Sequence, residues 1–330
     1  MNEVLRLLQH SLRPFGYDIR KRETYNLLPF KGIDPVPSLD RVRQDFDYDG
    51  GKERQETANL DALKIVFRTC LNHERDLKAL SRVAAAPLAD TVEHCFLSLV
   101  ASVNAAMEEV KTLNIEVLIL DDHSAAAPLD RVLRVAARLN CPWSVQTTEV
   151  RGQGASLYQQ FALARNDDAL YYFCEDDYLH EKRAIYEMWA FYRQVFQSTR
   201  RHLVIHPQEH ECLYNGNSFY PSYLVLSPFR HWRSVSDATH ILFTHAHVVR
   251  DYWRFFENTK YVGDRRKRRL GSERRTTNRL FQHLPCFVPI PALAGHMQSP
   301  HVLPPFFDWE ALWDASTPLN SPPGAPFHKG

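Results

Sequence analysis

The sequence predicts an α/β fold with a mostly parallel central sheet, and three observations predict it. Apolar strand-like runs alternate with segments of helical period four times between residues 63 and 174. One of those runs, "IEVLIL" (115–120), is apolar almost throughout, as a strand buried on both faces must be. Acidic residues follow two separate runs, at the strand ends where such sheets bind ligands.

The elements come in order. "LKIVFRTC" (63–70) is a short β-rich run bounded by polar residues. The stretch 88–113 places Leu88, Val92, Phe96, Leu99, Val103, Met107 and Val110 at steps of three and four, one face of a helix. After "IEVLIL", "LDRVLRVAARL" (129–139) reads as helix and "WSVQTT" (143–148) as strand. "ASLYQQFALAR" (155–165) reads as helix and "ALYYFC" (169–174) as strand. This alternation makes right-handed βαβ units. Beyond residue 200 the pattern loosens. "HLVIHP" (202–207), "SYLVLS" (222–227) and "HILFTH" (240–245) read as strands. "VVRDYWRFFENT" (248–259) reads as a helix with Val249, Trp253 and Phe256 on one face. "GSERRTTNRLFQHL" (271–284) reads as a second helix, with Glu273 in its first turn.

The ends differ from this core. Residues 1–60 read as a short amphipathic helix with a basic stretch, then a polar linker rich in Pro, Gly and Asp. The arm is expected to pack on its own domain, with peripheral membrane or partner contact as the second reading. Residues 61–315 form the main domain, and the Pro-rich tail 316–330 reads as disordered. The net charge of +1 supplies no global field for nucleic acid, so no nucleic-acid partner is expected. No apolar run reaches the roughly 18–20 residues of a membrane span. The six cysteines lack CxxC spacing, and several sit inside apolar runs. A cytoplasmic location follows, with the inner membrane face as a peripheral option through the arm.

The chemistry-bearing residues gather after the strands. Arg68, Thr69 and Asn72 follow the first, and Asp121, Asp122, His123 and Ser124 the second. Arg151, Gly152, Gln153 and Gly154 follow the third, and Glu175, Asp176 and Asp177 the fourth. In an extended chain Glu175 and Asp177 share one side and Asp176 faces the other. Mg²⁺ or Mn²⁺ prefers carboxylate oxygens and commonly keeps one or two at phosphate-transfer sites. A solvated loop or a helix N-terminus would also tolerate such acids. "RGQGAS" has only two glycines and reads weakly as a turn near a phosphate. "DRRKRRLGSERR" (264–275) reads as a solvated loop or as a mobile basic lid over an anion. Among sixteen histidines, His245 and His247 have metal-ligand spacing, yet no acidic partner follows closely.

Taken together, "KIVFRTCLN", "LILDDHS", "GQGASLYQQFALARNDDALYYF" and "CEDDYLH" resemble, in order and spacing, GT-A-fold glycosyltransferases of the family 2 type, over residues 62–301. The resemblance implies a Rossmann-like three-layer sandwich, with 61–180 as the nucleotide-binding half and 181–315 as the acceptor-binding half. It implies a metal-dependent, inverting glycosyltransferase. Such an enzyme moves a sugar from a nucleoside-diphosphate sugar to an acceptor hydroxyl on a sugar or glycoconjugate, in surface polysaccharide or glycoconjugate synthesis. Asp121 or Asp122 would meet the base or ribose, with Arg68 and Thr69 nearby. Gly154 and Asp176 complete the expected nucleotide-site residues. Glu175, Asp177 and His296 would hold Mn²⁺ or Mg²⁺, the commonest DxD form being replaced here by Glu-Asp-Asp. Glu273 is the expected catalytic base and Asp237 its runner-up. A nucleotidyltransferase is the enzymatic alternative, disfavoured by the lack of glycine in "RTCLNHERD". A non-catalytic binding protein of the same fold is the other.

Overall fold

The computed structural model describes residues 57–72, 83–209, 224–264, 266–281 and 283–317. The expected N-terminal arm, almost all of the linker and almost all of the tail lie outside them. Eleven strands appear among the described residues: β1 Ala62–Thr69, β2 Asn114–Asp121, β3 Trp143–Thr147, β4 Leu170–Glu175, β5 Tyr178–His180, β6 Val204–Ile205, β7 Leu224–Leu226, β8 His231–Val235, β9 Leu242–His245, β10 Cys286–Ile290 and β11 Ala294–His296. Nine form one sheet in the order β3-β2-β1-β4-β9-β6-β10-β8-β7, while β5 and β11 pair in a separate ribbon. The first four are parallel to one another. Strands β9 and β8 run against the rest.

Four helices are long: α1 Leu88–Glu109, α2 Ala126–Ala136, α3 Gln153–Ala162 and α4 Ala184–Thr199. The sheet separates two apolar cores, as its period-two side-chain alternation requires. On one face, Leu63, Ile65 and Phe67 of β1 and Tyr172 and Cys174 of β4 pack with α1, α2 and α4. Phe67 stacks on Phe96 of α1 with ring centroids 4.3 Å apart. On the other face, Val66, Tyr171 and Phe173 pack with Leu157 and Phe161 of α3 and with Val249, Phe256, Leu280 and Leu284. Each fully buried Phe or Leu contributes about 1.5–3 kcal/mol by leaving water, so these layers fix which way every strand faces. A buried ion-pair network ties the irregular half to α4. Arg230, just before β8, pairs with Glu187 of α4 and with Glu181 at 2.7 Å.

Two expected helices are broken. The segment 248–259 divides into Ala246–Asp251 (α5), a single turn Trp253–Phe256 and a 3₁₀ turn Glu257–Tyr261. The segment 271–284 is interrupted where Thr276 takes φ −111°, ψ −114°, far from helical values. Glu273 therefore sits in a short 3₁₀ turn, Glu273–Arg275, and not in the first turn of a long helix. Helix α4, within 181–200, is an element the sequence reading lacks. No helix among the described residues is long and apolar enough to cross a membrane. Every cysteine among them is free.

Candidate active site

Strand order alone locates a crevice. From β1 the chain steps outward to β2 and β3, then returns to the other side of β1 as β4. Ligands of open α/β sheets bind where the order reverses, beyond the C-terminal strand ends. Here that point lies between the ends of β1 and β4, and it carries Arg68, Thr69, Glu175, Asp176 and Asp177.

The three consecutive carboxylates have three different surroundings. Asp176 is buried and turns toward β1, where its Oδ2 accepts from Thr69 Oγ1 at 2.9 Å and from the Cys70 N–H at 3.0 Å. Glu175 pairs with the buried Arg68 guanidinium. Asp177 Oδ2 lies 3.2 Å from His296 Nε2. The two-stranded ribbon makes that last contact. Antiparallel pairing sets His296 opposite Tyr178, and their rings stack with centroids 4.5 Å apart. One ligand atom each from Glu175, Asp177 and His296 converge within 4.8 Å of one another. Burial alone would lower the His296 pKa, but the Asp177 carboxylate, with Glu175 and Asp176 beyond it, outweighs burial and raises it.

The support for His296 comes from loops the sequence did not flag. Its backbone N–H donates to Gln208 Oε1 at 2.6 Å. Tyr178 Oη lies 3.0 Å from Thr239 Oγ1, which is 2.9 Å from His206 Nε2. Only Tyr178, inside "CEDDYLH", carried a sequence signal. Gln208 and Thr239 sit in segments whose polar residues have no periodicity to betray them.

The β2 end is ordered by its own acids. Asp121 accepts from the Ser124 N–H at 3.1 Å. Asp122 Oδ1 accepts from the Gly152 N–H at 2.9 Å and from Thr148 Oγ1 at 3.2 Å. Both carboxyls are buried; Asp121 closes the β2 loop on itself and Asp122 ties it to the β3 loop. Gly152 there has φ +127°, a conformation open to glycine and strained for other residues. Gly154 opens α3 for a packing reason. A Cβ on it would stand 2.6 Å from the carbonyl oxygens of Lys260 and Val262.

The two base candidates stand near each other. Glu273 Oε1 lies 3.8 Å from His240 Nδ1. The His240 ring is lowered in pKa mainly by burial, while the charges of Glu273 and Glu175 oppose that and Arg68 adds to it. Those influences tie Glu273, through His240, to the β1–β4 acids. Asp237 accepts from the Asn278 amide, and burial raises its carboxyl above the ordinary value. The two candidates are close enough for the Glu273 charge to act on Asp237. Within the basic run, Lys267 lies against the preceding turn, its Nζ 4.5 Å from the Tyr261 ring centroid.

No protein-family model matches the chain, and no curated protein sequence does. Among solved structures it is similar to S. aureus TarS, at 15% identity and a TM-score of 0.41, over 69% of this chain and 35% of that one. It is similar to S. aureus TarS 1–349 in complex with UDP, at 13% identity and a TM-score of 0.41, over 69% and 57% of the two chains. It is also similar to the galactosyltransferase LgtC in complex with donor and acceptor sugar analogs, at 11% identity and a TM-score of 0.37, over 68% and 72%. The chain thus spans about a third of the TarS structure and just over half of its 1–349 fragment. At these TM-scores the functional reading rests on the residues of the site itself.

Proposed function

We propose that the protein is a sugar-nucleotide-dependent glycosyltransferase whose donor diphosphate docks at the β1–β4 crevice. The convergence of Glu175, Asp177 and His296 at the topological switch point carries this reading. Two carboxylates and an imidazole suit a divalent ion, and the imidazole favours Mn²⁺ over the harder Mg²⁺. Asp176 is committed to Thr69 and Cys70, so Glu175 joins Asp177 in this assignment.

When bound, the ion would neutralise the charge that builds on the departing nucleoside diphosphate. The chain's own residues supply the rest. Arg68 Nε is buried without a hydrogen-bond partner, a donor that a ligand oxygen would satisfy. Asp121 and Asp122 hold the β2 and β3 loops that would flank the nucleotide. Glu273 or Asp237 would take the proton of the acceptor hydroxyl as it attacks the anomeric carbon from the opposite face, with inversion. The raised pKa of Asp237 suits a proton acceptor. The acceptor is a sugar or glycoconjugate hydroxyl.

The test is a screen of nucleoside-diphosphate sugars with Mn²⁺, scored as slow donor hydrolysis, which needs no acceptor. The reading predicts Mn²⁺-dependent release of one nucleoside diphosphate. Release from none of the common donors would contradict it.

A further inference from the structure

A second cluster stands at the opposite end of the same strand. Asp168 lies just before β4, whereas Glu175 closes it. A strand of this length rises about 20 Å, so the cluster is a separate place from the crevice. Strand β9 runs antiparallel to β4, pairing Leu170 with His245, and so brings His245 to this end. The chain turns from β9 into α5, which adds His247, and the connection after α4 adds His202.

The geometry suits one metal ion. Asp168 Oδ1 lies 3.4 Å from His245 Nε2 and 3.1 Å from His247 Nε2. Ligand atoms of a tetrahedral ion with bonds near 2.0–2.1 Å lie about 3.3 Å apart. One ligand atom each from His202, His245 and His247 fall within 4.8 Å of one another. The ring centroids are 4.3, 4.7 and 5.4 Å apart. Rings sharing a tetrahedral ion through one nitrogen have centroids about 5 Å apart. His245 is fully buried, and its Nε2 makes no well-aligned hydrogen bond, its polar neighbours being Asp168 Oδ1 at 3.4 Å and the Asn59 backbone. Tyr192 Oη, 2.8 Å from His202 Nδ1, orients that ring as an outer partner orients a ligand.

We propose that His202, His245, His247 and Asp168 form a transition-metal site of the Zn²⁺ class, closed by protein ligands and structural in role. Three imidazoles and one carboxylate are a donor set that Zn²⁺ takes far more strongly than Mn²⁺. Ligation through His245 Nε2 places that ring's proton on Nδ1 and gives up the 3.2 Å cap it accepts from the His247 N–H. The nearby Arg250 charge opposes the ion, and Asp251, 3.5 Å from its Nε, screens it. The ion would pin together the start of β4, the end of α4 and the β9–α5 junction. The sequence showed only the His-x-His spacing. The acid completing it lies far away in the chain and arrives by strand pairing.

The test uses the full chain carrying Asp177→Asn, which weakens the crevice site, stripped with EDTA and titrated with Co²⁺. One equivalent of Co²⁺ with the visible absorption of a tetrahedral nitrogen-rich site, displaced by Zn²⁺, is the expected result. Adding His247→Gln or Asp168→Asn should weaken that binding at least about tenfold. The Asp168 side chain is 61% exposed, so its replacement leaves the fold intact. No Co²⁺ site in the Asp177→Asn protein, or equal affinity in the added variants, would overturn the proposal.

Discussion

His296 Nε2 and Asp177 Oδ2 lie 3.2 Å apart because β11 and β5 pair, although one residue stands near the middle of the chain and the other near its end. The contact joins the regular half of the molecule to the irregular half. It puts an imidazole beside two carboxylates at the one edge where the sheet order reverses.

His296→Ala should therefore weaken Mn²⁺ binding by about 10–100-fold, taking the loss typical of a perturbed metal shell as the scale. The ribbon should survive, since the His296 N–H bond to Gln208 is a backbone contact. Calorimetric Mn²⁺ titration reads the affinity, and unchanged affinity would remove His296 from the site.

Asp176→Ala should behave differently. It strands the buried Thr69 hydroxyl and Cys70 N–H, at a cost of about 1–3 kcal/mol in unfolding free energy. Mn²⁺ affinity should fall far less than in Asp177→Asn. Denaturant unfolding alongside metal titration separates the two effects; a variant of full stability with lost metal binding would reverse the roles assigned here.

The two base candidates separate by pH profile. If Asp237 is the base, kcat should climb through a pKa raised above the ordinary aspartate value, and Asp237→Asn should remove both that limb and about 10²–10⁴-fold of the rate. If Glu273 is the base, Glu273→Gln gives that loss instead, and Asp237→Asn keeps turnover.

Stability should fall in mild acid. His180 and His245 are held neutral by burial, each with a pKa of about 3 in the folded protein. The unfolded chain takes up those protons near the ordinary value of about 6.5, so it binds more protons than the native state below that pH. The stabilising difference is complete above about pH 6.5 and shrinks toward pH 3. By pH 5 the loss is about 2 kcal/mol per histidine, measured on metal-stripped protein by denaturant unfolding. His296 acts oppositely: its raised pKa favours the folded state at low pH, and the gain is lost as pH rises through the folded value. Flat stability from neutral pH to pH 5 would contradict the assignment of His180 and His245.

Legibility followed the range of the forces involved. Strands β1 and β4 were readable because burial on both faces forces near-continuous apolar runs, whereas β2 is buried on both faces only in its last residues, with Glu116 exposed. Strand alternation does not account for the convergence of Glu175 and Asp177, because β4 ends at Glu175 and residues 176–177 form a turn. Helix α4 buries Ile185, Met188, Trp189, Phe191, Tyr192, Val195 and Phe196 along with Glu187, a face wide enough to blur a single stripe. The break at Thr276 is a backbone turn that propensity did not mark. The β5–β11 ribbon rests on three-residue strands far apart in sequence, too short for any period to show. For the same reason Asp168 gave no sign of meeting His245.

The most direct measurement is calorimetric binding of nucleoside diphosphates, UDP first, with and without Mn²⁺, to the native chain and to Asp177→Asn. The account predicts that at least one binds the native chain in a Mn²⁺-dependent way, and that Asp177→Asn weakens this at least about tenfold. Binding that ignores both Mn²⁺ and Asp177, or no binding by any nucleoside diphosphate, would contradict it.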